Sequence, residues 1–195
     1  MRVIAGSLRS RPLLAPAGMD TRPTADRLRE TLFNVLTNGA VNRVAGVAFL
    51  DLYAGSGAVG IEALSRGAAA VTFVEHGAAA LAVLNKNLQN LGLKGSGIRI
   101  ERQSTARFLR GSAEKAAAGP FGMVFLDPPY DLASEYAHAL GLLGGERAAL
   151  LTSDALVVAE HRRKQSLEER YGRLIRTRVL EQGDAGLSFF SVEEA

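Results

Sequence analysis

Between Val47 and Arg162 the sequence repeats one pattern: a short, mostly apolar run, then a turn, then a segment with helical spacing of its apolar residues. The runs read VAFLDLY, AAVTFVE, IRIERQ, GMVFLD and ALVVAEHR. Strands that are buried on both faces of a sheet have such continuous apolar sequences. Because these runs alternate with helices, the pattern predicts a doubly wound α/β fold with a parallel sheet and right-handed crossovers.

The two ends of the chain are predicted to add further elements. The N-terminal RVIAGSLRSRPLL is typical of a hairpin that turns at Gly6-Ser7 or Arg9-Ser10. The next segment, TADRLRETLFNVLTNG, has the apolar spacing of a helix with Thr24 as its N-cap. Near the other end, RLIRTRVLEQGDAGLSFFSVE predicts two strands joined at Gly183-Asp184, which makes one strand of the sheet antiparallel.

Composition limits the remaining possibilities. With 195 residues, 47% of them hydrophobic, we expect one domain, with residues 1–22 as an N-terminal extension and 23–195 as the core. Cysteine is absent and His76, His138 and His161 show no i, i+4 pairing, so we expect no disulfide or metal site and surface or capping roles for the histidines. No apolar stretch approaches the roughly 18 residues of a membrane span, and the N-terminal sequence is unlike a signal peptide. We therefore expect a cytoplasmic protein, and nothing in the sequence requires more than a monomer.

Positive charge is concentrated in two segments. Residues 1–29 carry a net charge of +4 and residues 162–178 carry +5, whereas the whole chain carries +3. Lysine and arginine bind phosphates with release of counterions, so this distribution suits a polyanionic partner. The arginines that we expect to contact phosphates are Arg2, Arg9, Arg11, Arg22 and Arg27. Arg29 and the cluster Arg162-Arg163-Lys164 are further candidates.

A glycine-rich turn follows the first apolar run. Gly55, Gly57 and Gly60 have the spacing G-x-G-x-x-G between a predicted strand and a predicted helix, the context in which this spacing binds a nucleotide-type cofactor. Asp51 precedes the turn. Glu75 ends the next strand, about 20 residues later, where a carboxylate can accept hydrogen bonds from both ribose hydroxyls. This pattern leaves NAD and S-adenosylmethionine (SAM) both open.

The sequence Asp127-Pro128-Pro129-Tyr130 follows the fourth run and distinguishes the two cofactors. The prolines fix φ at about −65° and remove two N–H donors, so the Asp127 side chain and the Pro128 carbonyl become rigidly held acceptors. Tyr130 adds a flat aromatic face. Acceptors beside an aromatic face suit a planar base that carries an exocyclic amino group. Hydride transfer gives these residues no role, so the motif favours methyl transfer from SAM.

The motifs DLYAGSG, VEHG and LDPPY resemble those of SAM-dependent amino-methyltransferases that act on nucleic-acid bases. With RVIAGSLRSRPL, TRPTADRLRETLFNVL and LDLYAGSGAVGIEALSRGA, the chain resembles the bacterial 16S ribosomal RNA guanine-N2 methyltransferase family of the RsmD type. The resemblance is specific from about Arg2 to Tyr130 and looser up to LSFFSV. It implies a Rossmann-like class I SAM-dependent methyltransferase fold: a seven-stranded, mostly parallel sheet with one antiparallel strand, plus the N-terminal hairpin and helix.

The resemblance also implies roles for individual residues. The catalytic residues are expected to be Asp127, Pro128, Pro129 and Tyr130, with the first two receiving the amino group and the tyrosine stacking on the guanine. The residues expected around SAM are Asp51, Tyr53, Gly55, Ser56, Gly57, Glu75, His76 and Ser104. Ser104 is a departure, since the family commonly has aspartate or asparagine there, near the adenine amino group. The segment Arg22-Pro23-Thr24 is expected to close over the site.

The implied partner is 16S rRNA or the small ribosomal subunit, held by the N-terminal arginines. The chain has no separate RNA-binding domain, so selectivity is expected to depend on a preformed RNA or ribonucleoprotein shape. One alternative is a DNA adenine-N6 or cytosine-N4 amino-methyltransferase, although such enzymes usually carry a target-recognition insertion for which 195 residues leave little room. Another is a non-catalytic RNA- or SAM-binding module. A protein glutamine methyltransferase is expected to have asparagine at position 127.

Overall fold

The computed structural model describes residues 1–15, 23–39, 41–111, 119–129 and 133–193, with the backbone alone described at 23–25 and 133. Within these ranges the helices are α1 (Pro23–Thr37), α2 (Ala58–Ser65), α3 (Ala78–Asn90), α4 (Thr105–Arg110) and α5 (Ala133–Gly144), with a 3-10 turn at Ala148–Leu150. The strands are β1 (Ala48–Leu52), β2 (Ala70–Glu75), β3 (Ile98–Arg102), β4 (Phe121–Leu126), β5 (Leu151–Arg162), β6 (Arg170–Tyr171), β7 (Leu174–Gln182) and β8 (Ala185–Val192).

The strands form one sheet in the order β3-β2-β1-β4-β5-β8-β7-β6. The first five strands pair in parallel, and β8 runs antiparallel to both β5 and β7. After β3 the chain returns to the other side of β1, so the direction of winding reverses between β1 and β4. Ligands of open α/β sheets bind at such a reversal, outside the carboxyl ends of the strands.

Alternating side chains of the strands fill one core on each face of the sheet. Phe49, Phe73 and Phe125 belong to the core under α1, α2 and α3, which we name the α1 face. Leu50 and Leu126 belong to the opposite core, under α4 and α5. Because both faces are covered, the inner strands are mostly apolar.

The N-terminal segment pairs with itself in the manner of a hairpin. Arg2 and Pro12 form an antiparallel bridge. Val3 donates its N–H to the Arg11 carbonyl at 3.0 Å, and Ser10 donates to the Val3 carbonyl at 2.9 Å. The chain therefore reverses between Val3 and Ser10, a segment that contains the predicted turn at Gly6-Ser7, whereas Ser10 of the other predicted turn is one of the paired residues.

This hairpin is held against α2 by buried polar side chains. The carboxylate of Glu62, fully buried, accepts the N–H groups of Ile4 at 2.7 Å and Ala5 at 3.0 Å. The hydroxyl of Ser65 accepts the N–H of Leu8 at 2.9 Å. A charged acceptor makes short, strong bonds to backbone donors, so the segment is fixed to the core and is not a free arm.

The predicted α/β class, the seven longer strands and the antiparallel strand are confirmed. The structure adds an eighth strand, β6, which has two residues and is too short to leave a periodic signal. The predicted turn at Gly183-Asp184 joins β7 to β8. The predicted N-cap is wrong, because α1 begins at Pro23 and Thr24 is its second residue. Residues 112–118, which follow the end of α4, lie outside the described residues. None of the described helices combines the length and the apolar character needed to cross a bilayer.

One histidine lies in a different environment from the surface or capping role expected. His161 on β5 is 4% exposed; its Nε2 lies 2.8 Å from the Ser188 hydroxyl and its Nδ1 lies 2.8 Å from the Arg162 carbonyl. The pairing of β5 with β8 covers this position, and the sequence does not reveal which strands are neighbours.

Candidate functional site

The glycine turn connects β1 to α2 through a tight backbone. Ala54 donates its N–H to the Val74 carbonyl at 3.0 Å, and Gly57 donates to the Ala54 carbonyl at 2.7 Å. Gly55 and Gly57 have positive φ angles of 56° and 80°. A Cβ atom on Gly57 would lie 2.3 Å from Cδ1 of Leu84, whereas one on Gly55 would meet nothing closer than 4.0 Å. Gly57 therefore allows α3 to pack on the turn, and Gly55 leaves open space in front of it.

The carboxylate of Glu75, at the end of β2, is fixed by backbone donors. Its Oε1 accepts the N–H groups of His76 at 2.8 Å and Gly77 at 2.7 Å, and its Oε2 accepts that of Gly55 at 2.9 Å. Each carboxylate oxygen can accept more than one hydrogen bond, so acceptor capacity remains for hydroxyl donors. The His76 ring is 69% exposed, with Nδ1 3.7 Å from Glu75 Oε1.

Two more acids lie at the ends of the neighbouring strands. Asp51, on β1, is 2% exposed, and its Oδ2 accepts the N–H of Gly60 at 2.9 Å. Burial raises the pKa of Asp51 to about 7; the Gly60 hydrogen bond opposes this shift, and the charges of Asp127 and Glu75 add to it. Asp127 directly follows β4, and burial raises its pKa to about 7 as well. Pro128 is buried and Pro129 is exposed.

A further acid of this edge, Glu160 on β5, was not predicted as a site residue. It is half-buried, and the charges of Asp127 and Arg29 both act on it. Burial, followed by the charge of Asp127, raises the pKa of Glu160 well above its usual value, and Arg29 opposes the shift. The run ALVVAEHR contains an acid near its end, as the other runs do, but no motif follows it.

Two predicted cofactor residues have partners that the sequence did not suggest. Tyr53, with a φ of 64°, donates its hydroxyl to Glu135 Oε2 on α5 at 2.6 Å. Burial and then this hydrogen bond raise the pKa of Tyr53. The hydroxyl of Ser104 accepts the N–H of Arg107 at 3.3 Å and caps α4 at the end of β3. Ser104 therefore lies at the expected edge of the sheet, with its hydroxyl directed to the helix backbone.

Asn87 on α3, also unpredicted, links the glycine turn to the N-terminal segment. It is 1% exposed; its Nδ2 donates to the carbonyls of Ser56 at 2.9 Å and Leu14 at 3.1 Å, and its Oδ1 accepts the Leu14 N–H at 2.8 Å. The backbone position of Ser56, a predicted cofactor residue, thus depends on a side chain of the next helix. In the sequence Asn87 is one polar residue among several of α3, without a distinguishing motif.

Three of the predicted RNA-contacting arginines come together. Arg2, Arg9 and Arg27 line a surface groove of about 380 Å³ between the hairpin and α1, together with the acids Asp26 and Glu30. The three arginines are exposed and can reach an anionic ligand. The two acids offset two of the three arginine charges that line the groove, which leaves a small positive balance.

The other basic candidates are placed differently. Arg11 donates Nη2 to the Asn90 carbonyl at the end of α3, at 3.1 Å, and is not part of the groove lining. Arg29 is 6% exposed, with Nη2 2.7 Å from the Arg2 carbonyl and 3.1 Å from Asp26 Oδ1, so the phosphate contact considered for it is wrong. Arg22 and Tyr130 lie outside the described residues.

These residues fit SAM by the chemistry of their acceptors. The glycine turn has open space at Gly55, Glu75 keeps acceptor capacity for ribose hydroxyls, and Asp51 and Asp127 lie at the adjoining strand ends. The part of the chain that the structure describes contains no group of three or more His, Cys, Asp or Glu residues placed to hold a metal ion.

Comparison with known proteins agrees with this geometry. The model of a family described as conserved hypothetical protein 95 matches residues 1–191. YlbH of Bacillus subtilis (strain 168), whose name assigns it provisionally to the rRNA methyltransferases, is 38% identical over 190 residues, which are 97% of this chain and 98% of that protein. Ribosomal RNA small subunit methyltransferase D of Escherichia coli (strain K12) is 42% identical over 130 residues, which are 67% of this chain and 60% of that protein.

A solved structure extends the likeness over the whole chain. That of the Escherichia coli protein yhhF, described provisionally as a methyltransferase, has a TM-score of 0.81 and 32% identity, and the match covers 100% of this chain and 99% of that one. The predicted class I fold is confirmed. Two further solved structures share this fold at 13% identity and a TM-score of 0.66; one is described as SAM-dependent and the other contains SAH. The predicted relationship is confirmed as well: this chain belongs to the RsmD-type methyltransferase family, whose model is described as conserved hypothetical protein 95.

Proposed function

We propose that this protein methylates the exocyclic N2 amino group of a guanine in bacterial 16S rRNA. The observation that carries the proposal is the position of Asp127 and Pro128 at the end of β4, next to the glycine turn that follows β1. A base amino group held there lies beside the proposed cofactor site. The printed name of the Escherichia coli relative, a small-subunit rRNA methyltransferase, supports rRNA as the substrate class.

SAM supplies a methyl group that is already activated by a sulfonium sulfur. The protein therefore has to hold the amine in line with that methyl group, about 3–3.5 Å away. The amino N–H groups donate to the Asp127 carboxylate and the Pro128 carbonyl, which increases electron density on nitrogen and favours its tetrahedral geometry in the transition state. After transfer the nitrogen is acidic, and its proton passes to Asp127 or to water. Tyr130 stacks on the guanine ring.

The RNA docks on the groove lined by Arg2, Arg9 and Arg27. Because the hairpin is bonded to α2 through Glu62 and to α3 through Asn87, the groove and the cofactor turn keep a fixed relation. A groove in a fixed position relative to the cofactor turn suits a preformed RNA or ribonucleoprotein shape better than an extended strand. The partner is thus 16S rRNA or an assembling small subunit in the cytoplasm, approached by a monomer.

The test uses methyl-labelled SAM and three substrates: small ribosomal subunits from a strain that lacks this gene, the RNA stripped from them, and double-stranded DNA. The label is traced by nuclease digestion and mass spectrometry. We expect label in N2-methylguanosine of the small-subunit RNA, and none with Asp127→Ala. Asp154→Ala is the matched control, since that carboxylate is 79% exposed and lies on the amino-terminal half of β5.

The alternatives give different results. Label only in DNA adenine or cytosine would show that the substrate is DNA and not rRNA, while the proposed methylation of a base amino group would stand. Absence of label on every substrate, with SAM and RNA bound equally by the wild type and by Asp127→Ala, would indicate a non-catalytic binding module. Label on a guanine atom other than N2 would contradict the proposed role of Asp127 and Pro128.

A further inference from the structure

Glu160 is a carboxyl group for which the proposed reaction has no role, although it lies beside Asp127. The register of β4 and β5 pairs Leu126 with Ala159, and Asp127 and Glu160 are the next residues of the two chain segments. Neighbouring strands lie about 4.8 Å apart, so the two backbones are close at this point. Phe125, two positions before Asp127, and Val158, two positions before Glu160, both belong to the core of the α1 face. Since side chains alternate along a strand, Glu160 emerges on the same face as Asp127.

The carboxyl groups of Asp127 and Glu160 lack donors among the residues that the structure describes. The pairing partner of Glu160 on β8 is the apolar Leu187. From α5, Tyr136 donates its hydroxyl to the backbone carbonyl of Glu160, at 2.9 Å, and not to the carboxyl. Each carboxyl group keeps acceptor capacity, so a ligand that supplies N–H groups complements both.

The nearby cation, Arg29 on α1, acts on Glu160 from a distance. Its Nη2 is occupied by the Arg2 carbonyl and by Asp26, and its Nε has no partner in the described part of the chain. Arg29 therefore moderates the negative charge of the Asp127–Glu160 pair without neutralising it by a direct ion pair.

We infer that Glu160 positions the guanine: it carries a proton and hydrogen-bonds to O6 and N1–H of the ring whose amino group is held by Asp127. This inference rests on the proposed function. Two like charges this close are not ionised together without a large cost, so the pair retains one proton over a wide pH range.

Guanine assigns this proton to Glu160, because its amino N–H groups need acceptors at Asp127 and its O6 needs a donor at the neighbouring carboxyl group. Burial and then the charge of Asp127 raise the pKa of Glu160, and Arg29 opposes the shift. A protonated carboxyl group offers one O–H donor and one carbonyl acceptor side by side. The edge of guanine presents O6 as an acceptor, N1–H as a donor, and then the amino N–H groups. Glu160 followed by Asp127 matches this order, as expected of a pocket that reads a base by its Watson–Crick edge.

The test compares guanine with 2-aminopurine, which keeps the 2-amino group and has neither O6 nor N1–H. The base is exchanged at the guanine that the wild type methylates, in small-subunit RNA or subunits reconstituted with it. The variants are Glu160→Ala, Glu160→Gln and, as a volume-preserving substitute, Glu160→Met; Glu181→Ala, at an exposed position of β7, is the control. The readouts are single-turnover methylation and, without cofactor, the RNA dissociation constant. The chain has no tryptophan, so 2-aminopurine emission reports binding without that background.

For the guanine RNA we expect Glu160→Gln to stay within about threefold of the wild type, because an amide offers the same donor and acceptor. Glu160→Ala and Glu160→Met should be about 10- to 100-fold weaker, the discrimination that a two-bond interaction with a base provides. For the 2-aminopurine RNA the wild type already shows most of that decrease, and the alanine substitution adds less than about threefold.

Equal decreases on both RNAs for Glu160→Ala would overturn the inference, since a structural role gives additive effects. A Glu160→Gln variant as impaired as Glu160→Ala would also overturn it, because that result requires an ionised group. If the wild type forms N2-methylguanosine, these failures concern Glu160 alone. If it forms none on any substrate, the proposed function fails first and this inference with it.

Discussion

At the scale of residues, burial decides the chemistry of the acids at the carboxyl edge of the sheet, since it raises the pKa of both Asp51 and Asp127 to about 7. Asp51, Glu75 and Asp127 each end an apolar run and lie next to a turn motif. Glu160 also ends such a run, but nothing in ALVVAEHR indicates that β5 lies against β4. The phosphate-binding role predicted for Arg29 is wrong: position 29 precedes Leu32 by three residues and Leu36 by seven, so it lies on the apolar side of α1 and the arginine is buried there. Burial and neighbours, which decide the chemistry of these groups, come from strand order and helix packing.

The activity of the enzyme should depend on pH through Asp127, whose pKa burial raises to about 7. The ionised carboxylate is the better acceptor for the amino group, and its population increases as the pH rises. We expect kcat/KM to rise roughly tenfold from pH 6 to pH 8 and then to level off. Initial rates at fixed magnesium and salt concentrations, which keep the RNA folded, would measure this dependence.

Asp127→Asn is the informative variant, since it keeps one acceptor oxygen and cannot titrate. Its kcat/KM should be lower and flat over the same pH range, while Asp154→Asn should retain the wild-type profile. A titrating limb that persists in Asp127→Asn would assign the pH dependence to another group, such as Asp51.

At the scale of elements, the predicted strands and helices are correct because each one has its own periodic signal. The interactions between elements were not predicted. Asn87 bonds the glycine turn to the N-terminal segment, and Glu62 bonds that segment to α2. These hydrogen bonds join residues far apart in sequence, for which a single sequence contains no local pattern. The division into residues 1–22 and 23–195 stays a prediction.

The glycine turn gives the element-scale prediction. Gly57→Ala places a methyl group at positive φ and 2.3 Å from Leu84 Cδ1, with Ile61 and Phe73 behind it at 3.4 Å. Gly92 has a similar φ of 69° with open space around it. Gly92→Ala should therefore cost about 1 kcal/mol of unfolding free energy, and Gly57→Ala about 1–3 kcal/mol more because of overpacking.

Urea unfolding of both variants measures the difference, and titration with SAM measures its consequence for the turn. Gly57→Ala should bind SAM more weakly, whereas Gly92→Ala should bind it as the wild type does. Equal stabilities of the two variants would mean that Leu84 and α3 move aside at no cost.

At the scale of the whole molecule, the position of the docked hairpin decides where positive charge is concentrated on the surface. The net charge is only +3, yet three arginines share one groove beside α1. The second basic segment begins at the end of β5, in the carboxyl-terminal part of the chain, and forms no part of that groove. RNA affinity should thus depend on local arginines and not on net charge.

Replacement of Arg2, Arg9 and Arg27 by alanine tests this dependence. Each arginine that neutralises a phosphate should contribute about 0.7 to the slope of log K against log salt for RNA binding, so the slope should fall by about 2 in the triple variant. SAM affinity should be unchanged. Lys86→Ala, an exposed residue of α3, is the control and should leave the slope unaltered. An unchanged slope in the triple variant would indicate that the RNA binds at another surface of the protein.

The sequence by itself determined the elements of this protein and its chemical class. Continuous apolar runs predict buried parallel strands, and the glycine turn and the Asp-Pro-Pro-Tyr segment constrain the backbone locally, so both are visible without a structure. Only the tertiary structure decided which acids share the carboxyl edge of the sheet, which arginines are buried, and which side chains fix the N-terminal hairpin. Those properties depend on the order in which strands pair and on desolvation by neighbours, and neither is a local property of the chain.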